Sequence, residues 1–553
     1  MGNKKLMIIL GVVVVAGLVF VYAQQGMFES DTTTTDYGVE ESDTTDTAEG
    51  YGVSASHPLA VEAGMNVLEA GGNAADAAVV VSYVLGVVEP YGSGIGGGGE
   101  MLVYPDNADE PTVYEYRETA PESGAEPETF AVPGLVDGME QLNQDLGSMD
   151  MAELIQPAID YAEDGFEADN HLVDRLGRGS YRMDTAGLEE FFPSDSENGI
   201  LEVNDTLRQP ELADTLRLIQ EDGAEAFYNG PIADQILEHE TSLEPEDLSS
   251  FTTRTQEAAH GEFAGYDVFS APPPLAGVTL IQSLQMAEQL NIQSTENNQR
   301  DYMHLIGEIS KRSYDDRIDS VGDPMFEDAI PSDELTSAEY TQQMADTISL
   351  DELSEDYEVN DSISDEEDHD NTTHFVITDQ DGTMVSATHT LGNFFGSGDN
   401  VAGFFMNNQM ENFSQRDESL NSIEPGKTPR SFTSPTILSN GDRTIGIGSP
   451  GGKRIPMVMT QVLVKYLLFD EPFGEAIEDD RFYIEDNDIF TETELDTEIQ
   501  AELRARGYEI YQQTDHDFYG GIQSLVVDNE SNSIFGAADD RRNGIWQAES
   551  NDE

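Results

Sequence analysis

The sequence contains no cysteine, and its cationic side chains are scarce: 25 Lys and Arg residues stand against 110 Asp and Glu residues. Without cysteine the chain has no disulfide, no thiolate metal ligand, no cysteine nucleophile and no lipid anchor of the cysteine type. Nucleic acid is disfavoured as a partner, because phosphate backbones are bound by clustered Lys and Arg. The nine histidines show no H-E-x-x-H or similar spacing, so we predict no metal site and no cofactor.

The excess of acid is the dominant feature of the composition. The formal net charge is −85 over 553 residues. A compact fold with that charge repels itself in dilute buffer, whereas about 1 M salt shortens the Debye length to about 3 Å. We therefore expect adaptation to high salt, with carboxylates covering the surface. An ordinary acidic protein is the alternative.

The N-terminus reads as a targeting segment. Lys4 and Lys5 precede an uncharged apolar run from Leu6 to Ala23, which is long enough to cross a bilayer at about 1.5 Å per residue. The end of the run also resembles a cleavage site. Residues 1–23 are therefore a signal-anchor or a signal peptide, and residues 24–50 a disordered acidic tether. In either case we expect the rest of the chain outside the cell, on one membrane span or secreted.

Helix and strand patterns alternate beyond the tether. Pro58 to Ala70 reads as a helix, and Asn73 is a predicted N-cap for the apolar helix that follows it. Helical periodicity dominates from about Pro133 to Tyr228, and strands dominate from Thr372 onward. The alternation predicts layered sheets with helices outside them, in the α+β class.

Two glycine-rich segments differ in what they predict. Residues 92–97 match G-x-G-x-x-G, but a helix pattern precedes them and a strand pattern follows, which is the reverse of a dinucleotide site. A tight loop of close backbone approach is the better interpretation. Gly451 and Gly452 follow a strand pattern, and successive glycines there can turn their N–H groups toward one point, as an oxyanion requires.

An acidic coil ends at Asn371, and a strand pattern begins with Thr372 and Thr373. A threonine hydroxyl is a weak nucleophile unless a base lies beside it. The α-amino group of an N-terminal threonine is such a base, since its pKa is about 7.7–8.0. A precursor would then have to be cut just before Thr372. The alternative is an exposed loop that enters a strand rich in β-favouring threonines.

Several separated motifs resemble the γ-glutamyltranspeptidase family in order and spacing: TTHFVITDQDG, NNQM, GSPGG, GGNAADAA, GSGIGGGG and VPGLVDGM. The resemblance covers nearly everything from Tyr51 to the end. It implies an N-terminal-nucleophile hydrolase fold, which is a four-layer αββα sandwich. It also implies self-cleavage between Asn371 and Thr372, giving a large piece (residues 51–371) and a small piece (residues 372–553).

The resemblance implies roles for individual residues in catalysis. Thr372 would attack the γ-carbonyl of a glutamyl group, with its freed amine as the base. Thr390 would hydrogen-bond the nucleophile's hydroxyl. Gly451 and Gly452 would form the oxyanion hole.

Substrate binding follows from the same resemblance, with departures from the family's usual pattern. Arg117 would pair with the substrate α-carboxylate, and Gln409 would help to hold the α-amino end. The family's usual Asp is here Asn412, and of its serine pair only Ser431 survives, after Arg430. These changes weaken the fit to a free γ-glutamyl amino acid such as glutathione, because a terminal ammonium would lose a bond of roughly 1.5–3 kcal/mol.

The same residues resemble a narrower branch of the family, which acts outside the cell on capsule poly-γ-glutamate. Most α-nitrogens of that polymer are already in amide bonds, so an Asn suits them. Scarce cations also lie beside the site motifs, and they would give a local positive groove for a polyanion. Structural ion pairs with the many acids are the alternative, and both can hold. These cations are Arg117, Lys427, Arg430, Lys453, Arg454, Arg541 and Arg542.

We therefore expect a self-cleaving γ-glutamyl transferase and hydrolase that acts on poly-γ-glutamate. Its partners are the substrate and its own two pieces, and it meets the membrane only through the N-terminal segment. A general γ-glutamyltransferase or glutathione hydrolase is the first alternative. A non-catalytic capsule-binding surface protein is an alternative of another class.

Overall fold

The computed structural model describes residues 50–550, apart from 107, 128, 186, 195, 197, 327–328, 355–370, 417–418 and 529–532. The predicted membrane segment and nearly all of the acidic tether lie outside these residues. Within the described part of the chain, none of the helices combines the length and the apolar character that a bilayer crossing requires.

The α-helices of the described residues fall into three groups along the chain. The first runs from residue 58 to 179: α1 (Pro58–Glu69), α2 (Ala74–Val88), α3 (Leu135–Leu146), α4 (Met151–Asp164) and α5 (Asn170–Gly179). The second runs from 210 to 345: α6 (Pro210–Asp222), α7 (Ala224–Tyr228), α8 (Pro231–His239), α9 (Pro245–Ser249), α10 (Gly277–Gln289), α11 (Gln299–Ser320), α12 (Ser332–Leu335) and α13 (Ala338–Ala345). The third lies near the C-terminus: α14 (Ile455–Leu468), α15 (Phe473–Glu478) and α16 (Thr497–Arg506).

The strands lie on both sides of the threonine junction. Those before it are β1 (Gly50–Ala55), β2 (Gly98–Tyr104), β3 (Thr112–Tyr116), β4 (Phe166–Glu167), β5 (Thr206–Leu207), β6 (Arg254–Glu257), β7 (Ala259–Phe263) and β8 (Tyr266–Ser270). Those from the junction onward are β9 (Asn371–Thr378), β10 (Met384–Gly392), β11 (Asn400–Val401), β12 (Phe404–Phe405), β13 (Thr436–Ser439), β14 (Arg443–Gly448), β15 (Phe482–Glu485), β16 (Asp488–Thr491), β17 (Glu509–Gln512), β18 (Gln523–Asp528), β19 (Ser533–Ala538) and β20 (Ile545–Ser550).

Two antiparallel sheets form the centre of the fold. A seven-stranded sheet has the order β20-β1-β9-β10-β2-β3-β6, and a six-stranded sheet has the order β19-β18-β14-β13-β8-β7. In the first sheet β9 lies between β1 and β10, so both sides of the junction contribute neighbouring strands. A cut at the junction would therefore leave the two pieces interleaved in one sheet.

Three apolar cores separate four layers, and β9 shows why. Its side chains alternate between faces, as a period of two requires. Phe375 and Ile377 pack into the core that contains α1 to α4 and α6. Val376 packs into the core between the two sheets, with Leu102 and Ile437. A third core joins the six-stranded sheet to α10, α11 and α14. The order is helix, sheet, sheet, helix, as the resemblance implied.

Local predictions near the N-terminal end of the fold are confirmed. The Asn73 side chain accepts a 3.0 Å bond from the Asp76 N–H, and the Asp76 carboxylate accepts from the Asn73 N–H. The loop 92–97 does follow a helix and precede a strand. A Cβ on Gly96 would lie 2.1 Å from the Phe405 carbonyl oxygen, so the loop is a close backbone approach.

The sequence patterns missed the first and last strands. β1 pairs antiparallel with β20, joining Gly50 to Ser550, and also with β9. A strand at each end of a long chain carries no local sign of its partner. Trp546 lies against Gly536 in the core between the sheets.

Candidate active site

Two hydroxyl groups point at the carbonyl oxygen of Asn371, the residue before Thr372. The Thr372 hydroxyl donates to the Asn371 oxygen at 2.6 Å. The Thr390 hydroxyl donates to the same oxygen at 2.8 Å. The Gly392 N–H donates in turn to the Thr390 oxygen at 2.9 Å, which fixes the direction of that hydroxyl. Thr372 and Thr390 are both buried.

A register shift in the β9–β10 ladder creates this arrangement. His389 pairs with Thr373, but the next pair joins Gly392 to Asn371. The one extra residue on β10 forms a bulge, which re-aims a side chain and places Thr390 beside the Asn371 carbonyl. Gly392 has φ +96°, and a Cβ there would lie 2.1 Å from an Asn408 oxygen, so the bulge requires glycine.

His374 connects the junction to the second sheet. Its Nδ1 is 2.9 Å from the Thr388 hydroxyl, and a Cβ on Gly448 would lie 2.3 Å from its ring. The start of β9 therefore faces the end of β14. Burial lowers the pKa of His374 to about 3, so the ring is neutral at neutral pH and can only orient its neighbours there.

Gly451 and Gly452 follow the end of β14. Their φ angles are +132° and +57°, a region that favours glycine. The Ser449 hydroxyl accepts from the Gly521 N–H at 3.2 Å and donates to the Pro450 carbonyl at 2.8 Å, which holds the turn. The N-terminus of α14 follows immediately, and its unpaired N–H groups and dipole favour a negative charge.

Three of the predicted substrate-binding residues form one hydrogen-bonded chain. Arg117 Nη2 donates to Gln409 Oε1 at 2.9 Å, and Asn412 Nδ2 donates to the same oxygen at 2.8 Å. Gln409 and Asn412 share a face because they lie three residues apart in a 3₁₀ turn. Arg117 Nε, Arg117 Nη1 and Asn412 Oδ1 are buried, and within the described residues they have no hydrogen-bond partner.

Unpaired buried groups of this kind indicate a ligand, because a buried donor or acceptor without a partner costs about 1–3 kcal/mol. The chain offers guanidinium donors at one end and an amide acceptor at the other. These are the partners that an α-carboxylate and an adjacent N–H would need.

Several carboxyl groups surround Arg117. Glu118 lies 3.3 Å from its Nη2, and Glu100 is opposite Glu115 across β2 and β3. Burial raises the pKa of Glu100 to about 8 and that of Glu115 to about 7. At pH 7 Glu100 is mostly protonated, so it does not cancel the charge of Arg117.

The other predicted substrate contacts are engaged with the protein. Arg430 Nη1 donates to the carbonyls of Arg317 and Ile318 at 2.9 and 3.1 Å. It therefore links the segment before β13 to α11. The Ser431 oxygen accepts from the Thr433 hydroxyl at 3.2 Å. The guanidinium of Arg454 lies 4.6 Å from the centre of the Phe518 ring.

The two C-terminal arginines of the predicted cationic groove contact other groups of the protein. Arg541 pairs with Glu492 at 2.7 Å and with Asp539 at 3.1 Å. Arg542 donates to the Asp517 carbonyl at 2.8 Å. Carboxylates thus pair with Arg541, and Lys427 and Lys453 likewise pair with Glu424 and Glu485. Arg541 and the two lysines therefore form the structural ion pairs that were the alternative to a positive groove.

Glu89 and Ser56, which no sequence motif singled out, are buried behind the junction. Ser56 Oγ lies 2.6 Å from the Thr373 hydroxyl and donates to Glu89 at 2.9 Å. One signal was available: Glu89 is a single carboxylate at the end of an apolar helix, and such a group needs a partner.

Comparison with known proteins gives the family. The family model described as Gamma-glutamyltranspeptidase matches residues 60–548. The chain belongs to the γ-glutamyltranspeptidase family. Among relatives of this γ-glutamyltranspeptidase, the capsule biosynthesis protein CapD proenzyme of Bacillus anthracis is 44% identical over 499 residues, 90% of each chain. The glutathione hydrolase proenzyme of Bacillus subtilis (strain 168) is 30% identical, over 98% of this chain and 97% of that one.

Solved structures agree with that assignment. The cephalosporin acylase from Bacillus halodurans superimposes with a TM-score of 0.80 at 25% identity, covering 93% of this chain and 99% of that chain. The Helicobacter pylori γ-glutamyltranspeptidase gives 0.51 at 30% identity, covering 54% and 92%. The protein is a γ-glutamyl transferase or hydrolase with the mixed helix and sheet fold of N-terminal-nucleophile γ-glutamyltranspeptidases.

Proposed function

We propose that the chain is a precursor that cuts itself between Asn371 and Thr372, and that Thr372 is then the nucleophile of a poly-γ-glutamate hydrolase and transpeptidase. The observation that carries the cut is the pair of hydroxyl groups on the Asn371 carbonyl oxygen. The γ-glutamyltranspeptidase relatives are named proenzymes, which supports a processed form.

Self-cleavage would begin with attack of the Thr372 hydroxyl oxygen on the Asn371 carbonyl carbon. The Thr390 hydroxyl donates to the oxygen on which negative charge develops. Collapse of the intermediate breaks the C–N bond, transfers the Thr372 hydroxyl proton to the departing nitrogen and leaves an ester on Thr372. Water then hydrolyses the ester, giving the Asn371 carboxylate and a free Thr372 amine and hydroxyl.

Turnover would use the amine released in that step. Its neutral form takes the hydroxyl proton as Thr372 attacks a γ-glutamyl carbonyl, and returns that proton to the departing amine. The N–H groups of Gly451 and Gly452 would stabilise the oxyanion. The glutamyl ester then passes to water or to an acceptor amine.

Substrate choice would follow from Arg117, Gln409 and Asn412. The unpaired nitrogens of Arg117 suit the α-carboxylate of a γ-linked glutamate. The unpaired Asn412 oxygen suits an amide N–H, which every internal residue of a γ-glutamate polymer carries. A free α-ammonium would gain more from a carboxylate at position 412.

The relatives support two candidate substrates. CapD is a capsule biosynthesis protein, which favours an extracellular polymer. The glutathione hydrolase relative keeps a small γ-glutamyl substrate as the second candidate, since Arg117 and Gln409 would hold any γ-glutamyl group. We further propose that the N-terminal segment, whether retained as an anchor or cleaved, places the enzyme outside the cell.

The self-cleavage proposal is tested on purified full-length protein in high salt. Electrophoresis and intact-mass spectrometry should show two pieces, with the second beginning at Thr372. Thr372→Ala should remain one piece, whereas Thr372→Ser should be cut because it keeps a hydroxyl. A single uncut chain with γ-glutamyl activity would overturn the proposal.

Substrate choice is tested on the cut enzyme with defined γ-glutamate oligomers and with glutathione, and the products are identified by mass spectrometry. Shortened oligomers and slow glutathione turnover are expected. Rapid glutathione hydrolysis with untouched oligomers would show that the substrate is a small γ-glutamyl compound and not the polymer. A cut protein that binds oligomers without breaking them would favour a capsule-binding protein.

A further inference from the structure

Four buried side chains meet at the start of β9: Ser56, Glu89, Tyr91 and Thr373. Ser56 Oγ donates to one carboxylate oxygen of Glu89 at 2.9 Å, and the Tyr91 hydroxyl donates to the other at 3.1 Å. Ser56 Oγ also lies 2.6 Å from the Thr373 hydroxyl. Since the single Ser56 proton is used on Glu89, Thr373 must be the donor in that contact. The bonds therefore run from Thr373 to Ser56 to Glu89.

Glu89 is suited to be the fixed end of this chain. Burial raises the pKa of Glu89, while the nearby Thr373 hydroxyl, the hydrogen bonds from Ser56 and Tyr91 and the charge of Arg175 oppose that rise. Arg175 is itself held over the Tyr91 ring, 5.2 Å from its centre. Glu89 caps the C-terminal end of α2, a helix buried along almost its whole length, so its position is set by the core.

The backbone at the junction has little support of its own. The ladder between β1 and β9 ends at the pair Ala55–Phe375. The ladder with β10 is regular only as far as Thr373 and then shifts register. Thr372 therefore lies beyond the regular part of both ladders, and a chain end in that position frays unless it is tied down.

We infer that Glu89, acting through Ser56 and Thr373, is a positioning residue that holds the start of β9 in place once the chain is cut before Thr372. The inference rests on the proposed cut and on the proposed nucleophile. Thr373 faces the helical layer with Phe375, and Thr372 faces the second sheet with His374, because side chains alternate along the strand. The hydrogen bonds from Thr373 through Ser56 to Glu89, the tie, therefore hold the face of β9 opposite to Thr372. The tie does not touch the substrate.

This arrangement predicts a specific kinetic effect. A nucleophile that wanders by about 1 Å from its attack geometry loses about 10²-fold in rate. Substrate binding by Arg117, Gln409 and Asn412 depends on other elements and should persist. Loss of the tie should therefore lower kcat with little change in KM, and a general loss of packing would not give that split.

The test compares Thr373→Val with Thr373→Ser in the full chain. Valine keeps the shape of threonine and removes the hydroxyl, whereas serine keeps the hydroxyl. We expect cut T373V to show kcat lowered by at least about 10-fold with KM within about 3-fold, and T373S to stay within about 3-fold of wild type for both.

Glu89→Gln provides an independent variant, with Glu308→Gln as its matched control. Glu308 is equally buried and pairs with Lys311 and Arg312 on α11, in the other helical layer. E89Q should reproduce the kcat loss of T373V. E308Q should lower the Tm without lowering the kcat of the folded enzyme.

Each outcome decides the inference. If T373V is not cut while T373S is cut, and both keep the wild-type Tm, the inference is supported, because the tie then acts on the scissile peptide as well. Wild-type kcat in T373V, or equal losses in T373V and T373S, overturns it. If the wild type itself is neither cut nor active, the proposed function has failed and the inference falls with it. The inference alone fails if the wild type is cut and active and T373V has the same kinetics.

Discussion

The hydroxyl of Thr390 donates a 2.8 Å hydrogen bond to the carbonyl oxygen of Asn371. The oxygen of Thr390 is itself held by the Gly392 N–H, so the hydroxyl is oriented before any reaction begins. A donor fixed at the oxygen of an intact peptide stabilises negative charge there without reorganising. The relationship exists because the β9–β10 register shifts at this point, not because the two residues are near in sequence.

Thr390→Val should slow self-cleavage by about 10²–10³-fold, the usual cost of losing one oxyanion donor. Valine preserves the shape of the buried side chain, so the fold should be retained. The measurement is the rate at which freshly purified precursor converts to two pieces on a gel. Thr390→Ser is the control and should cleave within about 10-fold of wild type; equal rates for all three proteins would contradict the role of the hydroxyl.

Arg117→Lys should lower kcat/KM for γ-glutamyl donors by about 10- to 100-fold, because a point charge replaces a bidentate fork worth about 1.5–3 kcal/mol. Self-cleavage should continue, since Arg117 does not contact the Asn371 carbonyl. Steady-state kinetics on the cut enzyme measure the effect.

Arg541→Lys is the matched control for that change. Arg541 is half-buried and held in ion pairs with Glu492 and Asp539, so its replacement should lower the Tm and change kcat/KM little. A larger loss of kcat/KM in R541K than in R117K would indicate that Arg541 binds the substrate.

Asn412→Asp should shift preference toward donors with a free α-ammonium. A carboxylate gains a charge-assisted bond to the ammonium and loses the hydrogen bond that Asn412 Nδ2 donates to Gln409, while a polymer of internal amides gains no charge-assisted bond. We expect the ratio of kcat/KM for glutathione over γ-glutamate oligomers to rise by about 10-fold or more. A fall of both values together, as expected for Asn412→Ala, would show that only packing had changed.

Stability should depend on pH through His374. Burial depresses the pKa of His374 from 6.5 to about 3, so its neutral ring contributes fully above about pH 6.5 and the contribution is lost as the pH falls toward 3. The free energy of unfolding of wild type, minus that of His374→Gln, should therefore fall by about 1.4 kcal/mol per pH unit below 6.5. Denaturant titrations at pH 7.5, 6.0 and 5.5 measure the difference, which removes the titration of the surface carboxylates common to both proteins. A pH-independent difference would mean that His374 is charged in the fold or hydrated.

Salt should stabilise the fold because of the net charge of −85. Raising NaCl from about 0.1 M to about 1 M shortens the Debye length from about 10 Å to about 3 Å, which weakens repulsion among surface carboxylates. The Tm should rise over this range by more than an uncharged osmolyte of equal osmolarity produces. Equal rises of the Tm with NaCl and with the osmolyte would contradict the prediction that the protein is adapted to high salt.

The sequence by itself determined the features that depend on neighbouring residues. The Asn73 cap, the apolar helix after it, the alternating strand that starts at the threonines and the glycine pair after β14 all rest on periodicities and turn chemistry within a few positions. The family resemblance added the layer order and the chain Arg117, Gln409 and Asn412, which the fold does bring into contact.

The tertiary structure alone decided which distant groups meet. Ser56 and Thr373 are 317 positions apart and share a 2.6 Å contact, and the first and last strands pair. Arg541 could have been a free cation until the fold set Glu492 beside it. Strand pairing and the neutralisation of buried charge depend on three-dimensional neighbours, and a pattern that repeats every two or four residues contains no information about them.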